Sequence, residues 1–431
     1  PAVVVRAVPN LHAQLGYIAD RFFDAPSASM TVAGITGTNG KTTCAWLLAQ
    51  ALNLCGRRAA YVGTLGVGTA NRLAELANTT PDALTLQRSL ADLRASGMDA
   101  VAVEVSSHAL DQSRCAGLRV HTAVFTNLTR DHLDYHGDMD RYGAAKAKLF
   151  NWPTLAVRVI NIDDSFGQEL ARERLQSASS AAVQARLFVT SQRASEWLTS
   201  GADFVYTTAV NLNAAGIGLQ IESSRGASQL NSRLMGEFNV DNLLSVLAVM
   251  LAWDIPLQRA CAALADCGAP PGRMQREGGG AQPLVLIDYA HTPDALSKAL
   301  QAARAHCDGR LWCVFGCGGE RDQGKRAPMG QVAAQLADEL IVTDDNPRRE
   351  DPKLIVAAIM EGVIAAGAGW RARVNHDRAA AIRSAVTGAR SGDVVLVAGK
   401  GHEGYQIVGS ERRVFSDADA VRRTLAGQVA Q

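Results

Sequence analysis

Gly37-Thr38-Asn39-Gly40-Lys41-Thr42-Thr43 follows the apolar run Met30 to Ile35 and precedes the helical pattern Cys44-Ala45-Trp46-Leu47-Leu48. A strand, a glycine-rich turn and a helix N-terminus in succession make an anion site. The glycines let backbone N–H groups approach phosphate oxygens, and the helix dipole favours negative charge. Lys41 adds a point charge and Thr42 a hydroxyl suited to a magnesium ion, so a nucleoside triphosphate is the expected guest. The spacing departs from the strict phosphate-loop pattern: Gly34 stands one position too early, and Ile35 occupies the expected place. The bland alternative is a strand-to-helix turn with a solvated lysine.

Outward from this stretch the chain alternates strand and helix patterns. Leu11 to Phe23 repeats apolar residues at helical spacing, and Pro26 stops it. After the loop helix come a strand over Arg58 to Val62, a helix over Ala83 to Ala95, and an apolar strand over Ala100 to Val105 that carries Glu104 near its end. His121 to Thr126 is a further strand. It is followed by the polar segment Asn127 to His136, a helix carrying Lys146 and Lys148, and strands at Val157 to Asn161 and Leu187 to Thr190. This rhythm predicts a parallel sheet covered on both faces. Ala202 to Ser232 is β-rich and polar, which predicts a small antiparallel insertion, and Leu243 to Leu251 is an apolar helix.

Gly268-Ala269-Pro270-Pro271-Gly272 marks a boundary and a hinge candidate. The βα rhythm then restarts with Leu284 to Ile287, Pro293 to Ala305, Leu311 to Phe315, Gln331 to Leu336 and Leu340 to Thr343. It continues through Leu354 to Ile364, Arg371 to Val374, Ala379 to Val386 and Val394 to Val397, a second doubly wound domain. Gly316-Cys317-Gly318-Gly319 is half of a dinucleotide fingerprint, without a convincing third glycine or ribose-binding acid.

Bulk properties narrow the function. A chain of 431 residues, 47% apolar and 20% charged, is globular and long enough for two or three cores. A formal charge of +1 without a long basic run gives no footprint for nucleic acid. Eight scattered cysteines form no paired framework and read as buried thiols in a reducing compartment. No stretch is apolar for long enough to span a bilayer, and Pro1-Ala2-Val3-Val4-Val5 is no signal sequence, so the expected location is the cytoplasm, without membrane insertion.

Glu104, in Val103-Glu104-Val105-Ser106-Ser107-His108, falls where parallel sheets place ligands, at a strand's carboxyl end, and can hold magnesium. Asp131-His132-Leu133-Asp134-Tyr135-His136-Gly137 adds two acids and two histidines after the next strand, a candidate second metal shell. Taken singly, each is also compatible with a solvated acid or a hydrogen-bonded histidine.

With the phosphate loop and Glu104 to Leu110, several further stretches together resemble the Mur ligase family, in order and over nearly the whole chain. They are Asn78-Thr79-Thr80-Pro81, Thr126 to His132, Tyr135-His136-Gly137 with Ala145-Lys146, Gly236 to Asn242, Gly272-Arg273-Met274 and Asp288-Tyr289-Ala290-His291-Thr292-Pro293. The likeness is greatest to members that add a diamino acid to UDP-MurNAc-L-Ala-D-Glu in peptidoglycan synthesis. It implies an α/β fold with a central P-loop-type parallel-sheet ATPase domain and a C-terminal Rossmann-like doubly wound domain. The expected division is 1–25 as a remnant of a UDP-binding domain and linker, 26–270 as the ATP-binding domain and 271–431 as the amino-acid-binding domain. The remnant, and a first residue that is Pro rather than Met, suggest a fragment of a longer protein.

The resemblance also implies an ATP- and Mg2+-dependent amide ligase working through an acyl phosphate, as a monomer. By that likeness Gly37, Thr38, Asn39, Gly40, Lys41, Thr42 and Thr43 hold phosphates, with Asn242, Arg273, Asp288 and His291 completing the ATP site across a closure between domains. Thr42, Glu104, His132 and a carbamylated Lys146 would hold metal. A free ammonium would repel such a site, whereas a carbamate supplies anionic oxygens; the alternative is an exposed helix lysine like Lys148. Thr79, Thr80, Ser106, Gln112 and Arg114 match the MurNAc-dipeptide positions, although Thr79 and Thr80 could instead cap the helix after Pro81. Arg321, Asp345, Asn346, Arg348, Gly399 and Glu403 match the amino-acid positions. In Asp344-Asp345-Asn346-Pro347-Arg348 the arginine suits the distal carboxylate of meso-diaminopimelate, because a guanidinium binds a carboxylate bidentately and repels the lone ammonium of lysine. Glu403 suits the distal ammonium. A lysine-adding or folylpolyglutamate-type ligase, or an inactive ATP-binding module, are the other readings.

Overall fold

The computed structural model describes residues 7–176, 185–193, 197 and 200–429; Pro1-Ala2-Val3-Val4-Val5, in the expected N-terminal remnant, lies outside them. The chain divides into two units. One comprises Pro1–Ala209, Leu219–Leu230 and Val240–Cys267, the other Val210–Gly218, Asn231–Asn239 and Gly268–Gln431.

In the first unit the strand Thr31–Thr36 lies inside an eleven-stranded sheet, parallel to Ala100–Glu104 on one side and Thr122–Phe125 on the other. Ala59–Gly63 continues the parallel order on one flank, and Val157–Asn161, Arg186–Ser191 and Asp203–Asn213 on the other. Strands buried on both faces need no polar alternation, which is why Ala100–Glu104 and Thr122–Phe125 read as nearly continuous apolar runs. Ile35 pairs with Glu104 and Thr36 with Phe125. The loop after Thr36, the Glu104 side chain and the segment from Thr126 therefore all leave the same carboxyl edge.

Two expectations are corrected here. The β-rich region Ala202 to Ser232, expected as a small antiparallel insertion, joins the main sheet: Asp203–Asn213 pairs in parallel with Arg186–Ser191, and Gly216–Ser223 and Gly226–Ser232 follow it as successive neighbours. A free strand edge was available, and pairing it satisfies backbone groups that an isolated hairpin would leave to water. The helix expected to carry both Lys146 and Lys148 is Met139–Ala147, and Lys148 opens a 3-10 turn, Lys148–Asn151.

The second unit holds a six-stranded sheet in the order Gln275–Gly278, Leu284–Asp288, Val394–Ala398, Leu311–Phe315, Glu339–Thr343, Ala372–Asn375. All neighbours are parallel except the first pair. Leu284 and Leu286 join one apolar cluster and Val285 and Ile287 another, so the sheet has a core on each face. The two units together are the expected α/β class. The helices Arg326–Leu336 and Pro352–Ala365 approach so closely that a Cβ on Gly362 would lie 1.8 Å from the Ala327 carbonyl oxygen.

All eight cysteines are free thiols, seven of them buried and Cys307 partly so. Among the described residues no helix is long and apolar enough to cross a membrane.

Candidate functional site

The turn after Thr36 works because two residues adopt backbone angles that favour glycine. Gly37 has φ 151° and Gly40 φ 86°. A Cβ at Gly37 would meet the Thr126 hydroxyl at 1.9 Å, and one at Gly40 the Asn242 Oδ1 at 2.4 Å. Side chains are thus excluded from the cradle that a phosphate chain needs. Gly34, the glycine that seemed misplaced, belongs to the strand: its Cβ position faces Val105, Leu149 and Val120, so it serves packing rather than the loop. The loop is fixed from the neighbouring strand end, with Asn39 N–H donating to Asn127 Oδ1 at 2.9 Å and the Thr126 hydroxyl to the Asn39 carbonyl at 2.6 Å. The helix Lys41–Leu54 starts directly behind it. Lys41 Nζ donates to the Gly37 and Thr38 carbonyls, each at 2.9 Å. Asn242 is buried against Gly40, its Oδ1 accepting from the Cys44 thiol at 3.3 Å. Thr43 is buried in the first helical turn.

Glu104, 1% exposed, gathers donors from three elements. Thr42 Oγ1 donates to its Oε2 at 2.9 Å and Thr64 N–H to its Oε1 at 3.0 Å, and the Tyr61 hydroxyl makes a short bond to Oε1. Tyr61 and Thr64 were not foreseen: a tyrosine inside a strand carries no local signal that it will reach the strand-end acid of the neighbouring strand. Lys146 is 1% exposed, donates to the Gly37 carbonyl at 2.8 Å and sits 4.3 Å from the centre of the Tyr142 ring. Burial first, then repulsion from Lys41, brings its amine down from 10.5 to about 6, with Asp131 opposing. Lys148, by contrast, is a surface lysine paired with Asp111 at 2.8 Å.

The acids and histidines of the loop from Asp131 do not converge as a metal shell of their own. Among the described residues no three His, Cys, Asp or Glu side chains gather as metal ligands. His136 is turned inward to the Ser107 hydroxyl at 3.0 Å. His132 is half exposed beside Asp131, at 3.4 Å, with its ring 4.8 Å from that of His108. His108 and Tyr142, missed from sequence, make with Tyr135, His132 and His136 a cluster of rings beside the loop. Burial, His132, His136 and Arg114 hold the His108 imidazole below its ordinary value. Its only signal was its place two residues beyond Ser106.

The expected dipeptide contacts also come together. Thr80 Oγ1 donates to the Glu104 carbonyl at 2.7 Å and accepts from Ser106 N–H at 3.0 Å. Arg114 donates to the Thr80 carbonyl at 3.0 Å and through Nε to Gln112 Oε1 at 2.9 Å. Thr79 reaches the Thr64 hydroxyl at 3.1 Å. Capping is not the task of Thr79 or Thr80, because Asp82 caps that helix by accepting from Thr85 N–H at 3.0 Å.

In the second unit four parallel strands end around one cavity of about 500 Å³, lined by residues just past Asp288, Phe315, Thr343 and Ala398. Arg321, Asp345, Asn346, Arg348, Gly399 and Glu403 all line it, as does His291. Ligands of open α/β sheets bind at this edge. Arg348 has φ 51° and donates to the Gly319 carbonyl at 2.7 Å; its own N–H is held by the Ile407 carbonyl at 3.0 Å. A Cβ on Gly399 would lie 2.7 Å from Asp345 Oδ2. Glu403 Oε2 already accepts from Asn346 Nδ2 at 2.9 Å and from the buried Lys400 Nζ at 3.1 Å. Lys400 was overlooked although it stands only two residues past a strand end. Burial pushes the Asp345 and Asp288 carboxyls up. Asp288 accepts from Met274 and Ala290 N–H at 2.8 and 2.9 Å, and the Arg273 guanidinium lies 5.3 Å from the Tyr289 ring centre. Gly316 and Gly318 line the same cavity, so this glycine run serves close approach at a strand end rather than a dinucleotide turn.

Comparison with known proteins agrees with this geometry. The profile of the Mur ligase middle domain matches residues 35–250, and that of the Mur ligase glutamate ligase domain residues 272–401. A protein of Ectopseudomonas mendocina called UDP-N-acetylmuramoyl-L-alanyl-D-glutamate--2,6-diaminopimelate ligase is 48% identical over 425 residues, covering 99% of this chain and 84% of that protein. Its namesake in Pseudomonas aeruginosa is 48% identical over 97% of this chain and 83% of its own length. A solved structure of a ligase of the same name superposes with a TM-score of 0.76 at 36% identity, covering 98% of this chain and 84% of that one. On its phosphate loop, its two α/β units and these relatives, the chain belongs to the Mur ligase family.

Proposed function

We propose that the chain joins meso-diaminopimelate to UDP-MurNAc-L-Ala-D-Glu at the expense of ATP. The observation that carries this reading is the cavity of the second unit, where Arg348 stands among acids and amides at the carboxyl ends of four strands. The guest such a lining fits is an amino acid with charge of both signs at its far end. Asp345 and Glu403 are suited to ammonium groups and Arg348 to the second carboxylate. Because Glu403 is shared with Lys400, Asp345 is the stronger candidate for an ammonium.

The first unit supports the ATP half of the reaction. Lys41 and the amides from Thr38 to Thr43 would hold the phosphates, and the side-chain-free cradle over Gly37 and Gly40 fits them. Thr42, Glu104, His132 and a carbamate on Lys146 would hold Mg2+, which when bound offsets charge on a transferring phosphoryl group. Lys146 supports carbamylation because only a neutral amine takes up carbon dioxide, and its burial favours the neutral form. Thr79, Thr80, Ser106, Gln112 and Arg114 would orient the dipeptide so that its terminal carboxylate attacks the γ-phosphorus and ADP departs. The amine of the second substrate then attacks the acyl phosphate carbonyl, loses a proton and expels phosphate.

Phosphate release with ATP, Mg2+ and UDP-MurNAc-L-Ala-D-Glu tests this reading. Release is expected to depend on meso-diaminopimelate. Equal release with L-lysine, or none with either amino acid while ATP is bound, would overturn it.

A further inference from the structure

Behind the cavity lies an ion pair that the proposed reaction does not use. Arg378 opens the helix Arg378–Gly388 and Asp417 the helix Asp417–Val429, and both side chains are 0% exposed. Arg378 Nε donates to Asp417 Oδ1 at 2.7 Å and Nη2 to Oδ2 at 2.8 Å; Nη2 also donates to the Ala398 carbonyl at 2.9 Å. Nη1 is buried and has no hydrogen-bond partner among the described residues. A fully buried arginine with an unsatisfied nitrogen is costly to keep for packing alone.

Its position explains the cost. Ala398 is the last residue of its strand, and Gly399 lines the cavity with φ 114°, its Cβ position 2.7 Å from Asp345 Oδ2. By gripping the Ala398 carbonyl, Arg378 fixes the turn against which the Asp345 carboxylate rests. That carboxylate has no side-chain hydrogen-bond partner among the described residues, so its ionisation depends on surrounding charge. Arg378 and Lys400 favour the anion, while burial, Glu403 and Asp417 oppose it; Tyr289 and Cys317 also face it.

We infer that Arg378, held in place by Asp417, is a positioning residue that grips the Ala398 carbonyl and so keeps the Gly399 turn, and the Asp345 carboxylate resting against it, in register to receive an ammonium group of the incoming amino acid. This rests on the reading of the cavity as the amino-acid site. Without the guanidinium the Ala398 carbonyl loses this donor and Asp345 loses one of the charges that favour its anion, so burial pushes the carboxyl further up. A protonated carboxyl cannot pair with an ammonium, and raising the pH would restore it.

The test compares wild type, Arg378→Met and Arg378→Lys in phosphate release, with KM for meso-diaminopimelate and for ATP measured from about pH 6 to pH 9. For Arg378→Met we expect the diaminopimelate KM at pH 7 to rise about tenfold, the scale of one weakened charge-assisted contact, and to recover towards pH 9, with the ATP KM within about twofold of wild type. Arg378→Lys should fall between, and decides the matter if the methionine variant does not fold. An unchanged KM and pH profile, or an equal loss for both substrates at every pH, would overturn the inference. A wild type whose phosphate release ignores diaminopimelate would instead overturn the reading of the cavity.

Discussion

Replacing Lys146 by alanine, or withholding carbon dioxide from the intact protein, strikes the group on which the proposed metal site depends. An ordinary lysine near 10.5 is neutral in only about one molecule in a thousand at pH 7.5, whereas an amine brought down to about 6 is almost wholly neutral there. Burial therefore gives roughly a thousandfold more of the species that reacts with carbon dioxide. The sign with pH follows: below about 6 the amine is protonated and cannot hold a carbamate, so occupancy and turnover are lost as the pH falls through that value and are retained above it. Intact protein supplied with 13C-bicarbonate is expected to show a carbamate carbon resonance at pH 8 that Lys146→Ala lacks. The variant is expected to lose about 10²–10³ in kcat, the scale seen when one electrostatic contact to a developing charge is removed. Absence of the resonance at saturating bicarbonate, together with full turnover of Lys146→Ala, would refute the reasoning.

Three further outcomes follow from the same geometry. Arg348→Ala is expected to raise KM for meso-diaminopimelate at least about tenfold, the 1.4 kcal/mol of a charge-assisted pair, in steady-state phosphate release; an unchanged KM would remove the basis for this substrate. Glu104→Gln keeps the shape that Thr42, Tyr61 and Thr64 surround but removes the charge. Its kcat should drop by about 10²-fold or more while circular dichroism stays native. Gly362→Ala forces a methyl group onto the Ala327 carbonyl, and urea unfolding should show a loss of about 1–3 kcal/mol.

Much of the fold was legible because periodicity is a local property. The helix Ala83–Ala95 and the strands Ala100–Glu104 and Leu311–Phe315 lie where the apolar pattern predicts them, within a residue. The strands Gly66–Thr69 and Arg72–Ala74, and Tyr405–Val408 with Glu411–Val414, escaped notice: they are short, and much of their surface faces solvent, so they carry no apolar alternation. The helix Leu257–Asp266, behind Pro256, was also overlooked. In the candidate site, residues within motifs were legible, and the structure brings Thr42 to Glu104 and gathers Arg321, Asp345, Asn346, Arg348, Gly399 and Glu403 around one cavity. Residues whose place depends on strand order were not: Tyr61 reaches Glu104 only because its strand pairs beside that of the acid. Lys146 and Lys148 are two positions apart and look alike in sequence, yet Lys146 is buried in the last turn of its helix and Lys148 is exposed where the 3-10 turn begins.

The central claim is that the second unit's cavity selects an amino acid with a carboxylate at its far end. Its most direct test is a competition in which the protein receives ATP, Mg2+, bicarbonate and UDP-MurNAc-L-Ala-D-Glu with equimolar meso-diaminopimelate and L-lysine, and the product is weighed by mass spectrometry. The account predicts a product heavier by one diaminopimelate residue, with the lysine adduct at most a minor species. A lysine adduct in equal or greater amount would contradict it.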